Sequence, residues 1–391
     1  MGDIISRLGL KRIVNASGTM TVLGASRVSP AVAATAVEVL DHFVDIDALQ
    51  ARASQWIAGA TGPEAVFLTS SAASGIAVAV AAAMTGQDLR RIEMLPDTAG
   101  LKNEVVVQAG HLINYGAPLE QAIRITGARV TLAGDELEKS FGERTAAALY
   151  VVSHHVTDPG IGLADFVGQC RARGVAVIVD MASEYDLKGP ISLGADAVIY
   201  SAHKFLGGLT AGIVAGGKDF IRSAYLQNRG MGRHMKVGKE GIVAAMAALD
   251  AWSRRNHGLM GERESAIVSG WLASLYKIEG LKAAREPDWT GNPIERVKVT
   301  VEAAAGLFAW ELVDRLAARD PSVRVRDDLI AEGHFFLDPC NLARGEEKIV
   351  VEAIATEVAA AQKNCDGLKM RIAHYAERLA SRLYSWPDGY Q

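Results

Sequence analysis

Ser201-Ala202-His203-Lys204-Phe205-Leu206-Gly207-Gly208 decides how this chain reads. The octapeptide follows Ala197-Val198-Ile199-Tyr200, an apolar β-branched run of the kind that forms a buried strand. It ends in a glycine pair that turns the chain. In parallel sheets, catalytic groups collect just past strand ends, where the loops face the ligand crevice. A free lysine, with a pKa of about 10.4, is a poor nucleophile at neutral pH. Desolvation and neighbouring cations favour the neutral amine, which can form an imine with a carbonyl. Taken alone, a lysine after a strand reads as a surface residue.

The stretch upstream changes that balance. Val175-Ala176-Val177-Ile178-Val179 is another apolar strand, and it ends at Asp180, 24 residues before Lys204. That spacing holds one helix-containing crossover between neighbouring strands. A carboxylate at such a strand end can pair with the pyridinium nitrogen of pyridoxal 5'-phosphate and keep it protonated. The ring then accepts the electron pair released at a substrate α-carbon. Asp180 alone reads equally as a strand-end cap; a strand ending in Asp followed by a strand ending in Ser-x-His-Lys is much more specific. Ser70-Ser71-Ala72-Ala73, between the strand Ala65 to Thr69 and an Ala-rich helix, is where such a cofactor's phosphate would sit. Free backbone N–H groups and the helix dipole favour an anion there, although an ordinary N-cap would use the same residues. Ser201 offers a further phosphate contact from the lysine loop.

The same alternation extends across the middle of the chain. Apolar runs at Glu104 to Gln108, Ala128 to Leu132, Ala147 to Val152 and Ala211 to Ala215 are separated by helix-like segments. Continuous apolar strands of this kind predict an α/β fold, a mostly parallel sheet covered by helices on both faces. From about Gly238 long helices take over (Glu240 to Trp252, Glu262 to Tyr276). A strand at Arg296 to Val301 and a last helix around Val351 to Leu383 complete a smaller α+β domain. We expect residues 1–45 to join that small domain, 46–255 to form the large domain and 256–391 the remainder. A length of 391 residues suits two domains.

Composition narrows the function classes. The chain is 49% hydrophobic and 22% charged, with a formal charge of −4, which argues against a nucleic-acid binder. Cys170, Cys340 and Cys365 are far apart, lack metal-ligand spacing and suit a reducing compartment. No metal site is expected. The opening Met1 to Arg7 is too short and polar for a signal core. The most apolar stretch, Gly75 to Met84, falls well short of the roughly 20 residues that cross a bilayer. A cytoplasmic protein with no membrane partner is expected.

Together these residues resemble the fold-type-I pyridoxal-phosphate enzymes, in the branch of bacterial selenocysteine synthase (L-seryl-tRNA selenium transferase) and D-glucosaminate-6-phosphate ammonia-lyase. The likeness runs from Ile13-Val14-Asn15-Ala16-Ser17-Gly18 through the small domain. It is most specific over Ser201 to Gly217, with Lys204 at the Schiff-base position, Leu68 to Gly75 at the phosphate loop and Asp180 at the ring nitrogen. Asp47-Ala48-Leu49-Gln50 looks more like the ammonia-lyase side. The resemblance implies a seven-stranded sheet, a homodimer or larger assembly, and a cofactor ring covered by His111. His154 or His155, at another strand tip, then approaches the cofactor or the substrate. His203 stands where the selenocysteine synthases carry an acid. Arg27, Arg233 and Lys236 match basic positions of an anion pocket, and each alone reads as a solvated charge.

The resemblance favours α,β-elimination: a β-hydroxy amino acid or amino sugar acid loses its β-hydroxyl, and the resulting enamine hydrolyses to a 2-oxo acid and ammonia, with Lys204 as general base. A tRNA-dependent selenium transferase is the alternative. It normally grips its RNA through an N-terminal extension, for which the segment before Ile13 leaves no room. Racemase, aldolase and aminotransferase chemistries use the same electron sink and stay open.

Overall fold

In the computed structural model, which describes residues 3–134, 136–363 and 372–388, the chain divides into two compact units: 1–25 with 256–391, and 26–255. The strands in chain order are β1 (Ile13–Ala16), β2 (Ala65–Thr69), β3 (Glu104–Val107), β4 (Arg129–Leu132), β5 (Thr145–Val151) and β6 (Ala176–Asp180). They continue with β7 (Ala197–Ser201), β8 (Gly212–Gly216), β9 (Leu281–Pro287), β10 (Glu295–Val301), β11 (Ser322–Val325) and β12 (His334–Leu337).

The larger unit is built on a seven-stranded sheet of order β2-β8-β7-β6-β5-β3-β4. Its strands lack polar alternation because both faces are covered. Val177 and Val179 of β6 point into one apolar layer and Ile178 into the other, and β7 repeats this with Val198 and Tyr200 against Ala197 and Ile199. One layer is closed by helices Ile46–Thr61, Leu163–Ala172 and Lys239–Arg254, the other by Ala72–Thr85, Leu119–Arg124 and Lys218–Leu226. Ala72–Thr85 is buried nearly all round, which accounts for the most apolar stretch of the sequence.

One strand departs from the parallel pattern. β8 is antiparallel to both neighbours, β7 and β2. The link from Ser201 to Gly212 contains no helix, and a short link can only return the chain antiparallel. A consequence is that β2, β5, β6 and β7 all run the same way. Their carboxyl ends, followed by Ser70, Val152, Met181 and Ala202, therefore lie along one edge of the sheet.

The smaller unit carries an antiparallel sheet of order β12-β10-β9 and a parallel pair, β1 with β11. Pairing of Ile13–Ala16 with Ser322–Val325 is what draws the N-terminal segment to the C-terminal part of the chain. That segment stops at Ala25 rather than near 45. Residues 26–45 go with the larger unit because Val32 and Ala36 of helix Pro30–Leu40 are buried in its core. Arg296 is buried between two carboxylates, with Nη1 donating to Asp288 at 2.5 Å and Nε to Asp338 at 2.8 Å. The last expected helix is described as two, Glu346–Lys363 and Ile372–Tyr384. Cys365 lies outside the described residues. No helix among the described residues is long and apolar enough to cross a membrane.

Candidate active site

The sheet edge defined by β2, β6 and β7 assembles the site within the larger unit. Lys204 sits in the loop from β7 to β8, which is closed by Ala202 N–H donating to Ala211 C=O at 2.9 Å and Gly207 N–H to Lys204 C=O at 3.0 Å. Gly207 takes a φ of +71°, a left-handed turn that costs glycine little. Ser26 Oγ–H donates to the His203 carbonyl at 2.7 Å, tying the segment that bears Arg27 to this loop.

Asp180, the last residue of β6, is buried. Its Oδ1 accepts from Ala182 N–H at 3.1 Å. Burial raises its carboxyl pKa to about 6, opposed by the positive charge of Lys204 and the Ala182 N–H. The Lys204 ammonium donates to Ser183 Oγ at 2.5 Å. Ser183 lies three residues past Asp180 in the loop that follows β6, so one strand end supplies both a carboxylate and a hydroxyl beside the lysine.

The phosphate loop lies at the same edge. Ser71 caps helix Ala72–Thr85, its Oγ accepting from Ser74 N–H at 3.1 Å. The hydroxyls of Ser70 and Ser71 each lie 2.9 Å from Ser74 Oγ. First-turn N–H groups of a helix have no intrahelical acceptor, so Ala72 and Ala73 present donors beside three hydroxyls. Gly212 pairs with both Thr69 of β2 and Ser201 of β7. A Cβ there would stand 2.1 Å from the Ser71 carbonyl oxygen, so glycine is what lets the two loops come together. Ser201 Oγ lies 2.8 Å from His203 Nδ1. His203 is held below its ordinary pKa by burial and by the Lys204 charge, so its imidazole is neutral near pH 7.

These residues fit pyridoxal phosphate. A buried carboxylate with high proton affinity suits the ring N–H⁺, the amine suits the aldehyde, and the serine-lined helix start suits the phosphate.

The histidines divide by burial. His111 is fully buried, with Nδ1 accepting from Val151 N–H at 2.9 Å and Nε2 3.1 Å from the Pro159 carbonyl. Tyr150 meets its ring edge-on at 4.3 Å between centroids. Backbone groups thus engage both ring nitrogens of His111, and the ring is enclosed by its neighbours. His154 and His155, half-buried past β5, lie with ring centroids 3.9 Å apart. Arg27, Arg233 and Lys236 are all exposed. The loop carrying Arg233 and Lys236 is tied to the phosphate loop, since Ser70 N–H donates to the Met235 carbonyl at 2.9 Å.

Two neighbours escape a reading by motif. Ser183 could have been found from its place at the tip of β6. Tyr115 is half-buried, and burial, with a smaller contribution from the Asp180 charge, raises its pKa; it comes from a loop with no motif of its own.

D-Glucosaminate-6-phosphate ammonia lyase of Salmonella typhimurium is 37% identical over 358 residues, spanning 89% of this chain and 96% of that enzyme. The chain belongs to this ammonia-lyase family. A solved structure of D-glucosaminate-6-phosphate ammonia-lyase superposes with a TM-score of 0.82 at 36% identity, covering 92% of this chain and 99% of that one. The family is chemically mixed. A 5'-C-glycyluridine monooxygenase-decarboxylase of Streptomyces is 36% identical over 355 residues, 88% of this chain and 89% of that enzyme. No family model matches the chain. The fold is that of the fold-type-I pyridoxal-phosphate enzymes, and pyridoxal 5'-phosphate is the expected cofactor.

The raised pKa of Asp180 gives a signed prediction for cofactor-stripped protein. The folded chain holds the Asp180 proton more tightly than the unfolded chain, whose carboxyl titrates near 3.8. Stability is therefore lost as pH rises from about 4 to about 6, by on the order of 3 kcal/mol. Asp180→Asn removes this loss. Denaturant melts of the two proteins should agree near pH 4 and diverge in favour of the variant by pH 6; parallel curves would contradict the assignment.

Proposed function

We propose that this chain is a pyridoxal-phosphate-dependent ammonia-lyase that converts a β-hydroxy amino acid or amino sugar acid to a 2-oxo acid and ammonia. The observation that carries the reading is the Asp180–Lys204 pair at one sheet edge, in a chain 37% identical to D-glucosaminate-6-phosphate ammonia lyase along most of its length. Pyridoxal phosphate, when bound, supplies the electron sink that weakens the bonds at the α-carbon of an amine substrate.

The chain's own residues do the rest. Asp180, a carboxylate that burial has made more basic, would hold a proton at the ring nitrogen. Ser70, Ser71, Ser201 and His203, with the N–H groups of Ala72 and Ala73, would hold the phosphate. The Lys204 amine would attach the cofactor and, when free, would serve as general base for the substrate α-proton. The β-hydroxyl leaves as water, and one water re-enters on hydrolysis, so the substrate's atoms equal those of the 2-oxo acid plus ammonia. His154, which follows β5 at the same edge, is the proposed substrate contact. Arg27, Arg233 and Lys236 form the proposed anion pocket for a distal phosphate or carboxylate.

The Streptomyces relative favours a second reading, oxidative decarboxylation. One assay separates them. With phosphorylated amino sugar acids, the lyase reading predicts equal 2-oxo acid and ammonia, undiminished without oxygen. Oxygen-dependent release of carbon dioxide would replace it with the second reading. In the same assay Arg233→Ala should raise KM about tenfold for phosphorylated substrates and little for unphosphorylated ones, the loss of a charge-assisted hydrogen bond. Equal changes for both would remove Arg233 from the pocket.

We further propose a cytoplasmic location and a homodimer or larger assembly. Phe43 is fully exposed, and Val37, Leu40 and Ile46 beside it in sequence are exposed too. Lys239 Nζ donates to the carbonyls of Leu40 and His42 and holds this corner in place. Apolar clusters of this kind mark contact surfaces. Light scattering should give at least twice the chain mass, reduced by Phe43→Asp; a wild-type monomer would contradict the assembly.

A further inference from the structure

The Lys204 amine has a partner that no motif accounts for. Its hydrogen bond to Ser183 Oγ, at 2.5 Å, joins two loops that follow adjacent parallel strands, β6 and β7. Neither loop is free to drift. The β6 loop is held at its start by Ala182 N–H on Asp180 Oδ1, and further on by Lys188 and Gly189 N–H groups on Asp186 Oδ1, at 2.9 and 2.8 Å. Between these, Tyr185 packs on Phe205, the residue after the lysine, with ring centroids 4.5 Å apart, and on Trp252 at 4.8 Å. The aromatic contact thus fixes the distance between the loops, and Ser183 and Lys204 face each other as a result.

We infer that Ser183 is a positioning residue that holds the ε-amine of Lys204 ready for attachment of the cofactor. A hydroxyl suits this task better than a carboxylate would. It accepts a hydrogen bond from the ammonium and can donate one to the lone pair of the neutral amine, so it holds either form in place. A carboxylate partner would favour the charged, unreactive form. Attachment needs the neutral form: the ammonium gives up one proton, the nitrogen attacks the aldehyde carbon, and water leaves as the C=N bond forms. An amine already fixed in place spares the ordering cost of that encounter. With the hydroxyl gone, the nearby Asp180 charge pulls the amine toward the carboxylate meant for the ring nitrogen.

The inference rests on the reading of Lys204 as the attachment residue, and the test separates the two. Stripped wild-type, Ser183→Ala and Ser183→Thr proteins are mixed with pyridoxal phosphate, and the growth of the imine absorbance is followed in time. Each product is then reduced with borohydride and its labelled residue found by mass spectrometry. The expected result is label on Lys204 in all three, attachment about tenfold slower in the Ala variant, and recovery to near the wild-type rate in the Thr variant. Thermal melts of the stripped variants confirm that they are folded. Label on Lys204 with an Ala variant as fast as wild type, or a Thr variant as slow as Ala, overturns the role of the Ser183 hydroxyl. Label absent from Lys204 overturns the attachment site itself.

Discussion

A carboxylate buried at a strand end beside a lysine is the constraint from which the rest of the larger unit follows. Burial makes Asp180 costly to ionise, with a pKa near 6, and Lys204 recovers part of that cost. Such a pair has little value as a stabiliser, since desolvation cancels much of the attraction. It makes sense as a site, in which a protonated ring nitrogen and an aldehyde complete what the protein leaves open. The loops around the pair are fastened by hydrogen bonds and aromatic contacts, so its geometry is set before any ligand arrives.

The sheet is arranged to serve that pair. β8 returns antiparallel between β7 and β2, which lets the phosphate loop after β2 and the lysine loop after β7 open on one edge. Gly212 sits where those loops meet, and no side chain fits there. A fully parallel sheet would have needed a helical crossover at this point, and a crossover in place of the short link would have filled the edge. The smaller unit solves a separate packing problem, with its own core and with Arg296 buried between Asp288 and Asp338.

Much of this was legible in the sequence because the strands carry unbroken apolar runs. β2, β6 and β7 begin and end within a residue of where their runs suggest, so Ser70, Asp180 and Lys204 fall at or just past strand ends. The direction of β8 was not legible, because apolarity says nothing about strand sense. Nor was the setting of His111 legible, because a histidine past a strand end looks the same whether it faces a crevice or, as here, sets both nitrogens against backbone groups. Ser183 carries only the weak signal of a serine three residues past a strand-end aspartate, and its partner shows only when the two loops are brought together. Residues 26–45 go with the larger unit because Val32 and Ala36 join a core that includes helix Lys239–Arg254, far along the chain.

The central claim is that Lys204 binds the cofactor covalently while Asp180 holds its ring nitrogen. The most direct measurement is the visible absorbance spectrum of purified protein supplied with pyridoxal phosphate, compared with Lys204→Ala. The account predicts a yellow imine band in the wild type that shifts on adding an amine substrate, and a Lys204→Ala protein showing only the spectrum of free cofactor. An unchanged band in the Lys204→Ala protein, or a wild type that stays colourless with cofactor in excess, would contradict it.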